Sequence, residues 1–143
     1  MMTYETNNPN NTFELGVALG EKAFKGQIYR LDGDLGTGKT VFAKGFAKGL
    51  GIETHITSPT FTIVNVYEEG KIPFYHFDVY RIGDPYELEE IGYEEYFYGE
   101  GVTMIEWATL VEELMPEKVV TIVIEKDLSK GLDYRRITVE GNL

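Results

Sequence analysis

The segment with the clearest chemical potential reads Gly-Asp-Leu-Gly-Thr-Gly-Lys-Thr and runs from Gly33 to Thr40. It fits the pattern G-x-x-x-x-G-K-[S/T], in which glycines let backbone N–H groups curl around phosphate oxygens. In this pattern Lys39 reaches the β- and γ-phosphates, and the Thr40 hydroxyl can ligate a Mg²⁺ ion that bridges them. The helix that follows points its N-terminus at the same anion. The residues predicted to bind the phosphates are Gly33, Asp34, Leu35, Gly36, Thr37, Gly38, Lys39, Thr40 and Val41.

A phosphate loop of this kind also needs a carboxylate near the Mg²⁺ ion, and two acids are candidates. Glu106 follows the apolar run 102–105, and an acid at the carboxyl end of a strand in an open α/β sheet points toward the ligand crevice. The same position fits an exposed acid that begins the next helix, so both interpretations are open. Asp78 lies in the run HFDVYR, residues 76–81, where alternation places His76, Asp78 and Tyr80 on one face of a strand. That pattern by itself favours a strand facing solvent.

A third candidate is the loop segment Thr-Ser-Pro-Thr-Phe at residues 57–61. Hydroxyl groups in a loop stiffened by proline could sense a γ-phosphate, as switch loops do. A plain turn is the alternative, and the pattern alone favours the turn. The switch-like loop, if it is one, comprises Thr57, Ser58, Pro59, Thr60 and Phe61.

Strands and helices must hold these segments together. Apolar and β-branched runs predict strands over residues 27–31, 61–67, 72–80, 102–105, 119–124 and 136–139, the second and third of which form a hairpin. Helices are predicted over residues 11–24, opened by a capping pair of Asn11 and Glu14, and over 39–50, 84–92 and 93–98, with a short one before Pro116. Alternating strands and helices predict an α/β domain with a mixed sheet. Residues 1–10 are expected to be a loose lead-in to one domain at residues 11–143.

Composition excludes several classes of function. The chain has 143 residues with 13 Lys and Arg against 24 Asp and Glu, a net charge of −11, which argues against a protein that grips DNA, RNA or an anionic membrane by itself. Because there is no cysteine, disulfides, thiol nucleophiles and cysteine-ligated metals are excluded, and a cytoplasmic location is expected. The polar N-terminus does not resemble a signal peptide.

Taken together, the motifs resemble the TsaE (YjeE-type) family of P-loop ATPases. The resemblance rests on GDLGTGKT at residues 33–40, SPTFTIVNVY at 58–67, HFDVYR at 76–81, the EL…IG…EEYF stretch at 87–97 and IEW at 105–107, and it extends from about Thr12 to Gly141. It implies a single small P-loop NTPase-like domain with a mixed sheet flanked by helices. It implies an accessory ATPase, weak alone, that binds and hydrolyses Mg–ATP to support the TsaD and TsaB proteins. Those proteins make N6-threonylcarbamoyladenosine beside the tRNA anticodon, so tRNA is met only through the complex.

The resemblance also assigns roles to residues. Glu106 takes the acidic role at the Mg²⁺ site with Thr40, Asp78 supports hydrolysis beside Lys39, and residues 57–61 form the switch-like loop. Thr12 and an arginine near the C-terminus, either Arg135 or Arg136, lie near the nucleotide base. Trp107 matches the family without an assigned role. Arg30 and Asp32 depart from the family pattern, because they put charges into a strand that is usually more apolar.

Three other functions are compatible with the phosphate loop. A small-molecule P-loop kinase is the main alternative, but phosphoryl transfer usually needs several arginines, and the chain has only Arg30, Arg81, Arg135 and Arg136. A GTP switch lacks support because no N-K-x-D motif is present. A nucleotide-sensing interaction module would bind ATP without useful turnover, and aromatic residues such as Tyr93, Tyr96, Phe97 and Trp107 would then form a partner surface.

Overall fold

A seven-stranded mixed β-sheet forms the centre of this computed structural model, which describes residues 1–34, 36–59, 62–141 and 143. In chain order the strands are β1 (Met2–Thr6), β2 (Ile28–Asp32), β3 (Val64–Tyr67), β4 (Phe74–Asp78), β5 (Val102–Glu106), β6 (Val120–Lys126) and β7 (Arg135–Gly141). The helices are α1 (Pro9–Lys22), α2 (Lys39–Gly49), α3 (Tyr86–Glu90) and α4 (Tyr93–Phe97), with 3₁₀ turns over Ala108–Leu114 and Leu128–Lys130. The predicted α/β class with a mixed sheet is confirmed.

Parallel strands occupy the middle of the sheet, whose spatial order is β1-β7-β6-β2-β5-β4-β3. Strand β2 lies parallel to both β5 and β6, and β4 lies parallel to β5, while β3, β7 and β1 join through antiparallel pairs. In this register Glu106 lies opposite Leu31 on one side and Asp78 on the other. The carboxyl ends of β2, β5 and β4 therefore meet at one edge of the sheet, where α/β proteins bind ligands.

The core has two layers, one on each face of the sheet, because strands buried on both faces need a cover on each side. The first layer packs α1 and α2 against the sheet, and the second packs α3, α4 and the 3₁₀ turns after β5. The first includes Leu31, Phe42, Phe46, Phe74 and Met104, and the second includes Phe77, Val79, Leu88, Phe97 and Ile105. Both layers pack against β4 and β5, the strands that end in the two acidic residues.

Helices α1 and α2 pack at a glycine seam, formed by Gly16 and Gly20 of α1 with Gly45 and Gly49 of α2. A methyl group at Gly45 would lie 2.1 Å from the carbonyl oxygen of Phe13, and one at Gly16 would lie 2.4 Å from that of Phe42. These spaces are too small for any side chain, so the two backbones touch directly. The contact also explains why the apolar residues of α1 follow a helical period only loosely, since glycine forms part of its buried face.

The prediction of a loose lead-in over residues 1–10 is wrong. Met2–Thr6 forms β1, which pairs antiparallel with β7 from Met2 opposite Val139 to Thr6 opposite Arg135. Helix α1 then begins at Pro9, and its cap is the Asn8 side chain, which accepts from the Asn11 N–H at 2.9 Å. The expected cap at Asn11 with Glu14 is therefore wrong by one turn. A polar strand gives little signal in the sequence because its partner strand lies at the other end of the chain.

In the part of the chain that the structure describes, no helix combines the length and the apolar character needed to cross a lipid bilayer.

Candidate functional site

A cleft of about 550 Å³ lies between the start of α2 and the carboxyl ends of β4 and β5. It brings together all three residues predicted to be catalytic, Lys39, Asp78 and Glu106. The register explains the arrangement, because Asp78 and Glu106 are the last residues of paired parallel strands. The cleft is lined by Gly36, Gly38, Lys39, Thr40, Val41, Ser58, Asp78, Tyr80, Arg81, Glu106 and Trp107.

The carboxylate of Glu106 is buried and contacts the side chain of a histidine. His76 Nε2 lies 2.7 Å from Glu106 Oε2, and the two side chains are 2% and 5% exposed. The interpretation of Glu106 as an exposed acid beginning the next helix is thus wrong, because the residue ends β5 inside the protein. A buried carboxylate at this place can act on a bound ligand or ion.

Asp78 is also buried, so the interpretation of its strand as solvent-facing is wrong. Its Oδ2 accepts from the Ser58 hydroxyl at 3.2 Å, and its Oδ1 accepts from the Tyr80 N–H at 3.0 Å. The backbone N–H of Asp78 donates to the carbonyl of Ile63 at 2.8 Å, and Ile63 has a φ of 69°, a strained value for a β-branched residue. These hydrogen bonds join Asp78 to both Ser58 and Ile63.

Lys39 lies across the cleft. Its ammonium group donates to the carbonyl of Gly33 at 2.8 Å and lies 3.8 Å from the centre of the Trp107 ring. Burial lowers the pKa of Lys39, and the negative charges of Glu106 and Asp78 oppose that effect. The ammonium is thus a desolvated cation among acids, the state in which a phosphate group competes well for it.

A second, smaller cavity of about 150 Å³ adjoins the phosphate loop on its other side. Thr12 of α1 and Arg135 of β7 both line it, together with loop residues. Arg136 does not, because neighbouring strand residues face opposite ways, and its guanidinium pairs with Glu125 at 3.2 Å. The structure therefore brings Arg135, and not Arg136, to the side of the loop where the base was expected.

Arg135 also supports the phosphate loop itself. Its Nε donates to the carbonyl of Thr37 at 2.7 Å, and its Nη2 donates to the carbonyl of Gly36 at 3.4 Å. Gly36 and Gly38 have φ values of 76° and 101°, a left-handed conformation in which other residues are strained. The loop thus takes a shape that requires glycine and is fixed by a charged side chain from β7.

The residues present fit a magnesium–nucleotide complex. Thr40 is the second residue of α2 and lines the cleft together with Glu106. Within the described ranges no group of three His, Cys, Asp or Glu side chains could hold a metal alone. Mg²⁺ is usually bound by one or two protein ligands while substrate phosphates supply the rest, and one hydroxyl with one carboxylate matches that mode.

The remaining predicted residues lie in a third cleft, in the loop beside Asp78, or outside the described residues. Asp34 and Gly33 line a third, larger cleft of about 650 Å³ beside β6. Ser58 lines the cleft with Lys39 and the two acids. The backbone carbonyls of Thr57 and Pro59 accept hydrogen bonds from Asn65 and Ile63. Leu35, Thr60 and Phe61 lie outside the described residues.

Sequence reasoning gave no role to three residues that the structure places at the site. His76 contacts Glu106, and Tyr80 and Arg81 line the cleft. Tyr80 packs against Trp107 with ring centres 4.8 Å apart. The run at residues 76–81 carried the signal, but only the register of β4 beside β5 shows that His76 meets Glu106.

Comparison with known families gives a match over most of the chain. The family model described as "Threonylcarbamoyl adenosine biosynthesis protein TsaE" matches residues 6–137. A protein of Bacillus subtilis (strain 168) named "tRNA threonylcarbamoyladenosine biosynthesis protein TsaE" is 46% identical, over 96% of this chain and 84% of the relative. One of the same name from Treponema pallidum (strain Nichols) is 43% identical, over 90% of this chain and 93% of the relative.

A solved structure is similar throughout the fold. It is titled "Crystal structure of Bacillus subtilus YdiB" and superposes with a TM-score of 0.83 at 42% sequence identity. The match covers 98% of this chain and 84% of that one, so the two chains share one fold.

Proposed function

The chain belongs to the TsaE family, and on that premise we propose that it is an accessory ATPase of threonylcarbamoyladenosine formation in tRNA. One observation carries the ATPase part of the proposal. Lys39, Asp78 and Glu106 come from separate parts of the chain and converge on one cleft at the start of a helix. A cation, a hydroxyl and two carboxylates around a glycine-rich loop are the groups that nucleotide hydrolysis needs.

The two cavities on either side of the loop suit the two ends of ATP. The cleft with Lys39 and the acids would take the phosphates, and the smaller cavity with Thr12 and Arg135 would take the base side. Thr12 is held in place there by a hydrogen bond between its hydroxyl and that of Thr6, at 2.9 Å. The phosphate loop lies between them, as a bound nucleotide requires.

Each residue of the cleft has a distinct part in the proposed reaction. When a nucleotide binds, the ammonium group of Lys39 gives up its hydrogen bond to the carbonyl of Gly33 and donates to phosphate oxygens, whose negative charge it offsets. Thr40 and Glu106 would hold Mg²⁺, which would polarise the phosphates and offset their charge. Asp78, fixed through both of its oxygens, orients the attacking water or accepts its proton. Ser58 links that carboxylate to the loop at residues 57–59.

The proposed setting is a complex rather than the isolated chain. The net charge of −11 makes tight binding of tRNA by this protein alone unfavourable. We therefore propose that TsaD and TsaB carry the transfer chemistry and the contact with tRNA, and that this chain sustains their turnover in the cytoplasm.

The proposal is tested by measuring Mg²⁺-dependent ATP hydrolysis by this protein alone and with TsaD and TsaB. Lys39→Ala serves as the blank, because it removes the cation that the phosphates need. Slow turnover alone that rises strongly with the partners is the expected result. A turnover rate that does not change when TsaD and TsaB are added argues for a kinase or a solitary NTPase. Wild-type turnover in Lys39→Ala refutes the phosphate-loop assignment.

A further inference from the structure

The contact between His76 and Glu106 has a consequence for the proposed magnesium site. His76 lies on β4 two residues before Asp78, and Glu106 lies opposite Asp78 on β5. Residues two apart on a strand share a face, so His76 reaches diagonally across to Glu106 from deeper in the protein. The distance of 2.7 Å between Nε2 and Oε2 is that of a strong hydrogen bond to a carboxylate.

The hydrogen-bond pattern of the imidazole fixes where its proton lies. Nδ1 of His76 is buried and has no hydrogen-bond partner among the residues that the structure describes. Because a carboxylate oxygen only accepts, the proton that makes the 2.7 Å contact is on Nε2, and Glu106 accepts it. The ring itself is held by Phe74, on which it stacks with ring centres 5.6 Å apart and planes 11° apart.

We infer that His76 is a positioning residue that orients the carboxylate of Glu106 toward the metal. The inference rests on the proposed function. His76 takes up one lone pair of Oε2, so Oε1 is the oxygen of Glu106 that we expect to ligate Mg²⁺. A carboxylate that ends a strand has two rotatable bonds beyond Cβ, and a buried donor that restrains one oxygen lowers the entropy lost when the other binds an ion.

The inference is tested by measuring how strongly Mg²⁺ favours nucleotide binding, not by measuring activity. The affinity of a non-hydrolysable ATP analogue is measured by titration calorimetry in EDTA and in saturating Mg²⁺, and the ratio of the two dissociation constants is compared. His76→Phe keeps a flat ring on Phe74 but removes the donor. We expect the ratio to fall about tenfold, with affinity in EDTA nearly unchanged.

Two further variants separate positioning from packing. His76→Gln places an amide N–H near the site of Nε2, and we expect it to retain most of the wild-type ratio. In a protein that already carries Glu106→Gln, His76→Phe should cause no additional loss, because the carboxylate it orients is gone. A wild-type ratio in folded His76→Phe, or an equal further loss in the Glu106→Gln protein, overturns the inference.

The outcomes also distinguish this inference from the proposed function. If wild-type protein binds the analogue equally well with and without Mg²⁺, the proposed magnesium site fails and the inference fails with it. If wild-type protein shows the preference and His76→Phe keeps it, only the inference fails. Should His76→Phe not fold, His76→Asn replaces it, since its shorter amide does not reach Oε2, and an unchanged ratio in that variant overturns the inference equally.

Discussion

The adjacent arginines of β7 offer a matched test of the proposal that the smaller cavity takes the base side of the nucleotide. Arg135→Ala and Arg136→Ala each remove one positive charge, so their effects on the net charge of the protein are the same. They differ in what the side chains contact. Arg135 donates to the carbonyls of Thr37 and Gly36 in the phosphate loop, whereas Arg136 pairs with Glu125 on the surface. We expect only Arg135→Ala to weaken nucleotide binding.

The size of the effect follows from the contacts. A hydrogen bond from a charged group contributes about 1.5–3 kcal/mol, and the half-buried position of Arg135 favours the lower end of that range. Loss of the 2.7 Å hydrogen bond to Thr37 should therefore raise the free energy of holding the phosphate loop in its binding conformation by about 1.5 kcal/mol. This corresponds to a roughly tenfold loss of nucleotide affinity. The pair of Arg136 with Glu125 is half exposed on both sides, and such pairs are worth about 0–1 kcal/mol.

The assay is the binding of a fluorescent ADP analogue, with urea unfolding to show that both variants are folded. Arg135→Lys is a useful third variant, because an ammonium group cannot bond the carbonyls of Thr37 and Tyr134 at once as the guanidinium does. We expect it to bind with intermediate affinity. Equal losses in the two alanine variants, or no loss in either, would refute the assignment of Arg135 to this cavity.

Three further predictions concern the cleft, the helix pair and β2. Asp78→Asn should slow ATP hydrolysis at least about tenfold while changing nucleotide affinity little, because the part proposed for Asp78 lies in the reaction and not in binding. A pure binding defect in single-turnover kinetics would contradict this. Gly45→Ala should lower the free energy of unfolding in urea by about 1–3 kcal/mol, because its methyl group would lie 2.1 Å from the carbonyl oxygen of Phe13. Lys22→Ala on the exposed surface of α1 serves as the control, and equal stability of the two variants would exclude the tight seam. Burial raises the pKa of Asp32 in the folded state, so the folded protein takes up this proton at a higher pH than the unfolded chain. Asp32→Asn should therefore stabilise the protein slightly at pH 7, and this gain should shrink as the pH falls through the raised pKa. If urea titrations show the same difference in the free energy of unfolding between variant and wild type at pH 7 and pH 4, the explanation is contradicted.

The parts of the site that depend on local sequence were predictable. The phosphate loop and the start of α2 follow from one continuous motif, and the structure begins α2 at Lys39 as predicted. Glycine at positions 36 and 38 is required by the conformation of the loop, so the motif and the structure express the same constraint. The hairpin of β3 with β4 was likewise predictable, because its two strands are close in the chain.

The rest depends on which strands become neighbours. The burial of Asp78 and Glu106 and the contact of His76 with Glu106 exist because β4 and β5 pair in a particular register. No short stretch of sequence encodes that register, since it is fixed by the hydrophobic layers on both faces of the sheet. Strand β1 was missed for the same reason, as its backbone pairs with a strand more than a hundred residues away.

The glycine seam makes α1 and α2 a single cooperative unit. Thr12 lies at the start of α1 and Lys39 at the start of α2, so the base side and the phosphate side of the proposed site are built on helices whose backbones touch. Neither helix can loosen without opening the contact between them, because no side chain is present to fill the space. The amides of both helices should therefore exchange with deuterium in one concerted opening, and a ligand held at either end should protect the whole pair.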